Sequence, residues 1–269
     1  MSWARRELQA LGIPALKRFG QHFLIDTHVR DRLIEVSELT SKDTVVEIGS
    51  GLGFLTQNLV SQASRVIAIE KDRTLANYLR RKFADSVSLT LIEGDALKMT
   101  LPDDAKIVSS PPYNISSKLV LLVLESHFSL AALLLQKEFV DRITAQTGSR
   151  DYGRLTVMLQ SKAEAKVVQK VSRSAFYPQP RVDSAIVTIK PAARLRTSRV
   201  VFEDLIRTVF TQRRRKLRGV MTRYLKSRFP SQYNEIARKI EISDKRVFET
   251  TPKEFADLSI EIAEITRIG

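Results

Sequence analysis

Across 269 residues the chain carries 44 lysines and arginines against 30 aspartates and glutamates, a formal charge of +14 at neutral pH. That excess is more than solubility requires and points to a polyanionic partner, nucleic acid or an anionic membrane surface. Cysteine is absent, and only His22, His28 and His127 supply imidazoles, without metal-binding spacing. These counts exclude disulfides, thiolate metal centres and cysteine nucleophiles, and make a metal site an unlooked-for outcome. No run of about 18 apolar residues is available to span a bilayer, and residues 1–13 lack a signal-peptide apolar core. A reducing cytoplasm is the expected setting.

The basic segment 2–17 reads as a helical arm anchored by Trp3. From Thr44 onward, short apolar runs at 44–48, 66–69, 87–92, 106–108 and 131–136 alternate with helix-period segments. Strands separated by helices imply an α/β fold, a parallel sheet covered on both faces, with ligands at the carboxyl ends of its strands. Runs at 155–162, 163–171 and 185–189 are expected to extend it with antiparallel strands. After Pro191 the pattern turns helical and basic, over 202–211, 212–225, 233–240 and 252–265. Two domains are therefore expected, 1–190 and a smaller helical one at 191–269.

The chemistry-bearing motifs sit at the predicted strand ends. Glu47-Ile48-Gly49-Ser50-Gly51-Leu52-Gly53 runs from a strand through close-set glycines towards a helix near Phe54. Glycines there let backbone approach a ligand. The spacing GxGxG, preceded by an acid, favours a nucleoside amino acid over a pyrophosphate. An ordinary strand-to-helix turn is the alternative. Glu70, at the tip of the next strand, is placed to accept both ribose hydroxyls of a nucleoside, or is a solvated strand-end acid. Asp95, in Glu93-Gly94-Asp95-Ala96, is either an acceptor for an adenine amino group or a helix cap.

Ser109-Ser110-Pro111-Pro112-Tyr113-Asn114 follows the fourth strand with the form (D/N/S)PP(Y/F). Two prolines stiffen the turn, so a carbonyl and the Ser110 hydroxyl can accept from an exocyclic amine while Tyr113 offers a stacking face. That arrangement suits methyl transfer from a sulfonium to an adenine amino group, in which orientation and acceptors favouring a tetrahedral nitrogen lower the barrier. The target base must be unpaired or flipped to reach such a site.

With these residues assembled, nearly the whole chain resembles the ribosomal RNA adenine dimethyltransferase family. The landmarks are Lys17-Arg18-Phe19-Gly20-Gln21-His22-Phe23-Leu24, the 47–53 turn, the loop Ser174-Ala175-Phe176-Tyr177-Pro178-Gln179-Pro180-Arg181-Val182-Asp183-Ser184, and Phe210-Thr211-Gln212-Arg213-Arg214-Arg215-Lys216-Leu217-Arg218. The resemblance implies a Rossmann-like class I methyltransferase sheet with a small C-terminal helical domain. It implies S-adenosylmethionine contacts at His22, Leu24, Gly49, Gly51, Glu70, Asp95 and Ser110. Ser110, Pro111 and Tyr113 are expected at the target adenine, with Phe176 closing on its other face. Arg213, Arg214, Arg215 and Lys216 are expected to bind RNA phosphates from a basic helix. The implied reaction is dimethylation of two adjacent adenosines near the 3′ end of small-subunit ribosomal RNA, by a cytoplasmic monomer acting on the assembling subunit.

Two departures stand out. The family usually has Asn-Leu-Pro-Tyr where this chain has Ser110-Pro111-Pro112-Tyr113, and a serine hydroxyl reaches about one bond less than an asparagine amide oxygen. His22 stands where many members have asparagine. Serine retains an acceptor, so an active enzyme is expected; the alternative is a non-catalytic, RNA-binding assembly factor that keeps the cofactor fold. A large-subunit methylase would share the core, but the helical tail favours the small-subunit enzyme.

Overall fold

The computed structural model of the chain describes residues 3–12 and 21–267. The signature residues Lys17, Arg18, Phe19 and Gly20 lie outside them. In chain order the elements are α1 (Trp3–Ala10), β1 (Phe23–Leu24), α2 (Thr27–Glu35), β2 (Thr44–Ile48), α3 (Thr56–Leu59), β3 (Arg65–Glu70), α4 (Arg73–Lys82) and β4 (Leu89–Glu93). There follow β5 (Lys106–Ser109), α5 (Ser116–Glu125), β6 (Leu130–Gln136), α6 (Lys137–Ile143), α7 (Arg154–Gln160), β7 (Ala163–Val171), β8 (Phe176–Tyr177) and β9 (Ser184–Pro191). The last four are α8 (Arg199–Val209), α9 (Leu217–Arg228), α10 (Tyr233–Lys239) and α11 (Pro252–Thr266).

Seven strands form one sheet in the order β4-β3-β2-β5-β6-β9-β7. The first five are parallel, and β9 runs antiparallel to β6. The central strands are largely apolar rather than alternating: Val45, Val46 and the run Ala131 to Leu135 are fully buried, as a sheet covered on both faces demands. The chain leaves β2 for β3 on one side and later returns to β5 on the other. The carboxyl ends of β2 and β5 thus flank the point where strand order reverses, the crevice that ligands occupy in such sheets. Sequence chemistry starts the helices around it. Asp72, extended at φ −79°, accepts from the amides of Thr74 and Leu75 and caps α4, a contact worth about 1 kcal/mol.

The chain divides into two compact units, Met1–Val140 with Ala165–Pro191, and Asp141–Glu164 with Ala192–Gly269. The second therefore also takes in a segment that chain order had assigned to the first domain. Within it, Tyr152 is fully buried and donates to the Thr250 carbonyl at 2.9 Å, and its ring meets Phe210, which in turn meets Phe255 of α11. No helix among the described residues is long and apolar enough to cross a membrane.

Two expected elements differ. The run 155–162 is not a strand: Arg154–Gln160 is α7. Thr156 Oγ1 accepts from the Gly153 amide at 3.0 Å and donates to the Arg142 carbonyl at 2.7 Å, closing a helical turn at the start of an apolar run too short to display its period. The helix expected over 212–225 begins only at Leu217. The carbonyls of Arg213 and Arg215 accept from the amides of Phe248 and Val247, and the Leu217 amide donates to the Lys245 carbonyl. This tertiary pairing holds Lys216 extended, with ψ at 133°, and overrides the local helix propensity of a Gln-Arg-Arg-Arg-Lys run.

Candidate active site

Where β2 ends, the chain turns through Gly49 at φ +77° and Gly51 at φ +57°, left-handed values that only glycine adopts without strain. A Cβ on Gly49 would stand 3.1 Å from Pro112 Cδ, and one on Gly51 3.2 Å from the Phe23 ring. The turn is thus backbone kept bare, facing both the proline turn after β5 and the amino-terminal signature. Gly53 shares the left-handed backbone at φ +76°, and a Cβ there would also lie 2.7 Å from the Phe83 ring, so its smallness serves packing as well.

Three carboxylates follow. Glu70, ending β3, is 5% exposed. Its oxygens accept from the Gly51 and Asp72 amides, each at 2.8 Å, and burial raises its pKa. It therefore ties the glycine turn to the tip of β3. Asp95 accepts from the Leu97 amide at 3.1 Å, capping a short 3-10 turn, and pairs with the Lys71 ammonium at 2.9 Å; that hydrogen bond holds its carboxyl below the usual range. Sequence reasoning read Glu47 only as the acid that precedes the glycine turn. It is 1% exposed, accepts from the Thr56 hydroxyl at 2.6 Å, and burial pushes its pKa up to about 8.

On the β5 side, buried Ser109 donates to the Ile48 carbonyl at 2.5 Å, pinning β5 to the start of the glycine turn. Ser110 and Pro112 face the turn, Pro111 is buried, and Tyr113 opens a 3-10 turn. The Tyr113 hydroxyl lies 2.6 Å from the Ser184 hydroxyl, itself fully buried at the start of β9. Burial pushes the phenol up to about 12, so Tyr113 stays neutral and acts as a ring with a fixed hydrogen bond. Two rings flank it: His22, with centroids 5.5 Å apart and tilted 32°, and Phe176, edge-on at 6.3 Å.

The signature and the post-sheet loop meet directly. β1 pairs antiparallel with β8, matching Phe23 to Tyr177 and Leu24 to Phe176, and the Ile25 amide donates to the Ala175 carbonyl at 2.8 Å. His22 Nδ1 lies 2.6 Å from the Pro178 carbonyl. A carbonyl only accepts, so Nδ1 carries the proton and a neutral ring keeps Nε2 as its acceptor. Phe176 is 3% exposed and packs in the core with Leu24 and Ala175, its ring T-shaped to that of Tyr113.

One cavity gathers much of the expected set: His22, Leu24, Gly49, Gly51, Glu70 and Ser110 line it, and so do Glu47, Pro112 and Trp3. Pro111, Tyr113, Phe176 and Asp95 stand outside that lining. A bare glycine turn, a buried acid at the next strand tip and a second row of acceptors at Ser110 fit a nucleoside-bearing cofactor on the β2 side and a polar acceptor group on the β5 side. The basic run is arranged unevenly. Arg213 turns inward, donating to the Arg150 carbonyl at 2.5 Å, with its guanidinium 5.8 Å from the Phe248 ring centre. Lys216 pairs with Asp244 at 2.6 Å, while Arg214 and Arg215 are exposed. Sequence reasoning missed Ser184, gave Glu47 no role beyond the acid of the turn motif, and gave Trp3 only an anchoring role. The acid one residue before the end of an apolar strand was the available signal for Glu47.

Comparison with known proteins places these features in company. The family model of ribosomal RNA adenine dimethylase matches residues 14–264. The chain is 37% identical over 255 residues to a probable ribosomal RNA small subunit methyltransferase A of Pyrococcus abyssi, covering 93% of each chain. It is 39% identical over 252 residues to the protein of the same description from Methanosarcina barkeri, covering 92% of this chain and 88% of that one. Among solved structures, a dimethyladenosine transferase from Plasmodium falciparum superposes with a TM-score of 0.82 at 27% identity, over 91% of this chain and 98% of that one. The 23S rRNA methyltransferase ErmE gives a TM-score of 0.69 at 28% identity, over 89% and 98%.

Proposed function

This chain belongs to the ribosomal RNA adenine dimethylase family, and from that premise we propose that it dimethylates the amino nitrogens of two adjacent adenosines near the 3′ end of small-subunit ribosomal RNA, in the cytoplasm, during subunit assembly. It is an S-adenosylmethionine-dependent enzyme with the Rossmann-like sheet of class I methyltransferases. The observation that carries the reading is the meeting, in one cavity, of the glycine turn and Glu70 with Ser110 and Pro112 of the proline turn.

The cofactor, when bound, supplies a methyl group on a positively charged sulfonium. Gly49 and Gly51 offer it bare backbone, Glu70 its carboxylate for ribose hydroxyls, His22 the Nε2 acceptor, Leu24 an apolar wall, and Asp95 an acceptor at the base. On the target side, Ser110 and the Pro111 carbonyl accept from the adenine amino group. They hold the nitrogen lone pair, otherwise delocalised into the ring, towards the methyl. Tyr113 stacks on the flipped base, its ring fixed by Ser184 on one side and by a T-shaped contact with Phe176 on another. Each transfer would form one N–C bond at the amino nitrogen as the methyl–sulfur bond of the sulfonium breaks, the sulfur leaving as a neutral thioether and one amino proton passing to solvent; the second would use the remaining hydrogen. The described charge on the second unit, with Arg214 and Arg215 exposed, supplies phosphate contacts to the RNA.

The test is mass spectrometry of nucleosides from under-methylated small subunits incubated with the protein and S-adenosylmethionine, beside a Ser110→Ala variant. Dimethyladenosine from the wild type, and at least about tenfold less from the variant, is expected for the loss of one acceptor at the reacting nitrogen. No methylated adenosine despite measured binding of cofactor and subunit would overturn catalysis on this substrate. The replacement of the usual family asparagine by Ser110 then favours a non-catalytic assembly factor.

A further inference from the structure

Trp3 is the chain's sole tryptophan, and it lines the same cavity as Gly49, Gly51, Glu70 and Ser110. The helix that carries it is docked rather than loose. Ala4 and Leu8 of α1 are 0% and 1% exposed and cluster with Leu52, inside the glycine turn, and Leu75 of α4. Glu7 accepts from the Tyr78 hydroxyl at 3.1 Å. The Trp3 ring lies 5.1 Å from the Phe54 ring. Lys82 donates to the Leu52 carbonyl at 2.9 Å and places its ammonium 6.0 Å from the Trp3 ring centre.

An eight-residue helix has no stability of its own in water. α1 is therefore held by the surface it covers, and that surface includes Leu52 and Phe54, the residues on either side of Gly53 in the cofactor turn. Whatever orders the turn also orders the seat of α1, and by linkage the docked helix favours the occupied turn to the same extent. A tryptophan wall adds apolar contact and keeps water from the ligand laid on the glycines.

We propose that Trp3 is a positioning residue of the cofactor site and that α1 is a cap which closes that site against the glycine turn. The inference rests on the assignment of this cavity to S-adenosylmethionine. It reaches beyond that assignment, because nothing in the GxGxG turn, Glu70 or the proline turn requires a wall contributed from the amino-terminal arm.

The experiment uses the full chain. Emission excited at long wavelength, where adenine does not absorb, comes from position 3 alone, so titration with S-adenosylhomocysteine reads the Trp3 environment directly, while calorimetry measures the same binding independently. The expected result is a saturable change in emission whose Kd agrees with calorimetry. Trp3→Ala is expected to weaken binding by about tenfold or more and Trp3→Phe by less than about threefold, both variants keeping the wild-type circular dichroism. Calorimetric binding by the wild type with unchanged emission, together with undiminished affinity in Trp3→Ala, would overturn the cap alone. No calorimetric binding by the wild type would overturn the cofactor assignment and the cap with it, so the two failures are told apart.

Discussion

The buried carboxyl of Glu47 makes the most quantitative prediction. Its pKa stands at about 8 instead of 4.5, chiefly through burial and only partly offset by the Thr56 hydroxyl, with the nearby charge of Glu70 adding to the rise. A raised acid binds its proton more tightly in the folded chain than in the unfolded one. Its contribution to stability is therefore full below pH 4.5 and is lost as pH rises through about 8. Over that span the loss reaches on the order of 5 kcal/mol. Glu47→Gln removes the titration. Its amide oxygen can still accept from Thr56, but its amide nitrogen brings buried donors in need of partners, a cost of about 1–3 kcal/mol. The variant is thus expected to be less stable than wild type near pH 5 and more stable by about 2–4 kcal/mol near pH 9, a rise of very roughly 4–16 °C in melting temperature. Melting curves of both proteins from pH 5 to 9, followed by Trp3 emission so that the unit containing Glu47 is observed, should cross. Two curves that fall in parallel across that range would refute a protonated Glu47 in the folded state.

Other consequences concern single contacts. Gly51→Ala forces a side chain to φ +57° against the Phe23 ring; S-adenosylhomocysteine affinity by calorimetry should fall at least about tenfold, and unchanged affinity would remove the bare-backbone argument. Tyr113→Phe and Ser184→Ala each leave one buried hydroxyl without its partner. Each should cost about 1–3 kcal/mol by chemical denaturation, and the double variant should cost less than the sum; strict additivity would show that the hydroxyls do not act together. Replacing Arg214 and Arg215 with glutamate should weaken binding of a small-subunit RNA fragment and lower the salt slope by about 2, leaving the melting temperature unchanged. Arg213→Ala should instead lower the melting temperature, because the Arg150 carbonyl loses its donor. The opposite pattern would mean that Arg213 is the phosphate contact.

What the chain discloses without a structure follows from how local each requirement is. β2, β5 and β6 are legible because a strand buried on both faces must be largely apolar, and the glycine turn because its left-handed backbone and close neighbours tolerate no Cβ. Glu70 and Ser110 are legible for a related reason: each is a polar residue at the tip of a buried strand, where a parallel sheet presents its ligands. α7 was hidden because seven apolar-rich residues fit either period, and the partner of Thr156, the Arg142 carbonyl, lies outside the run. The start of α9 was hidden because the carbonyls of Arg213 and Arg215 are claimed by residues 247 and 248. Ser184 and Trp3 belong to the same class. A serine 71 residues from Tyr113, or a tryptophan on a short arm, carries no local mark of a role that only its distant partner defines. The residues proposed to touch ligand were therefore marked by type and spacing, whereas those that hold them in place emerged only from the packing, and it is among these that variants should separate positioning from chemistry.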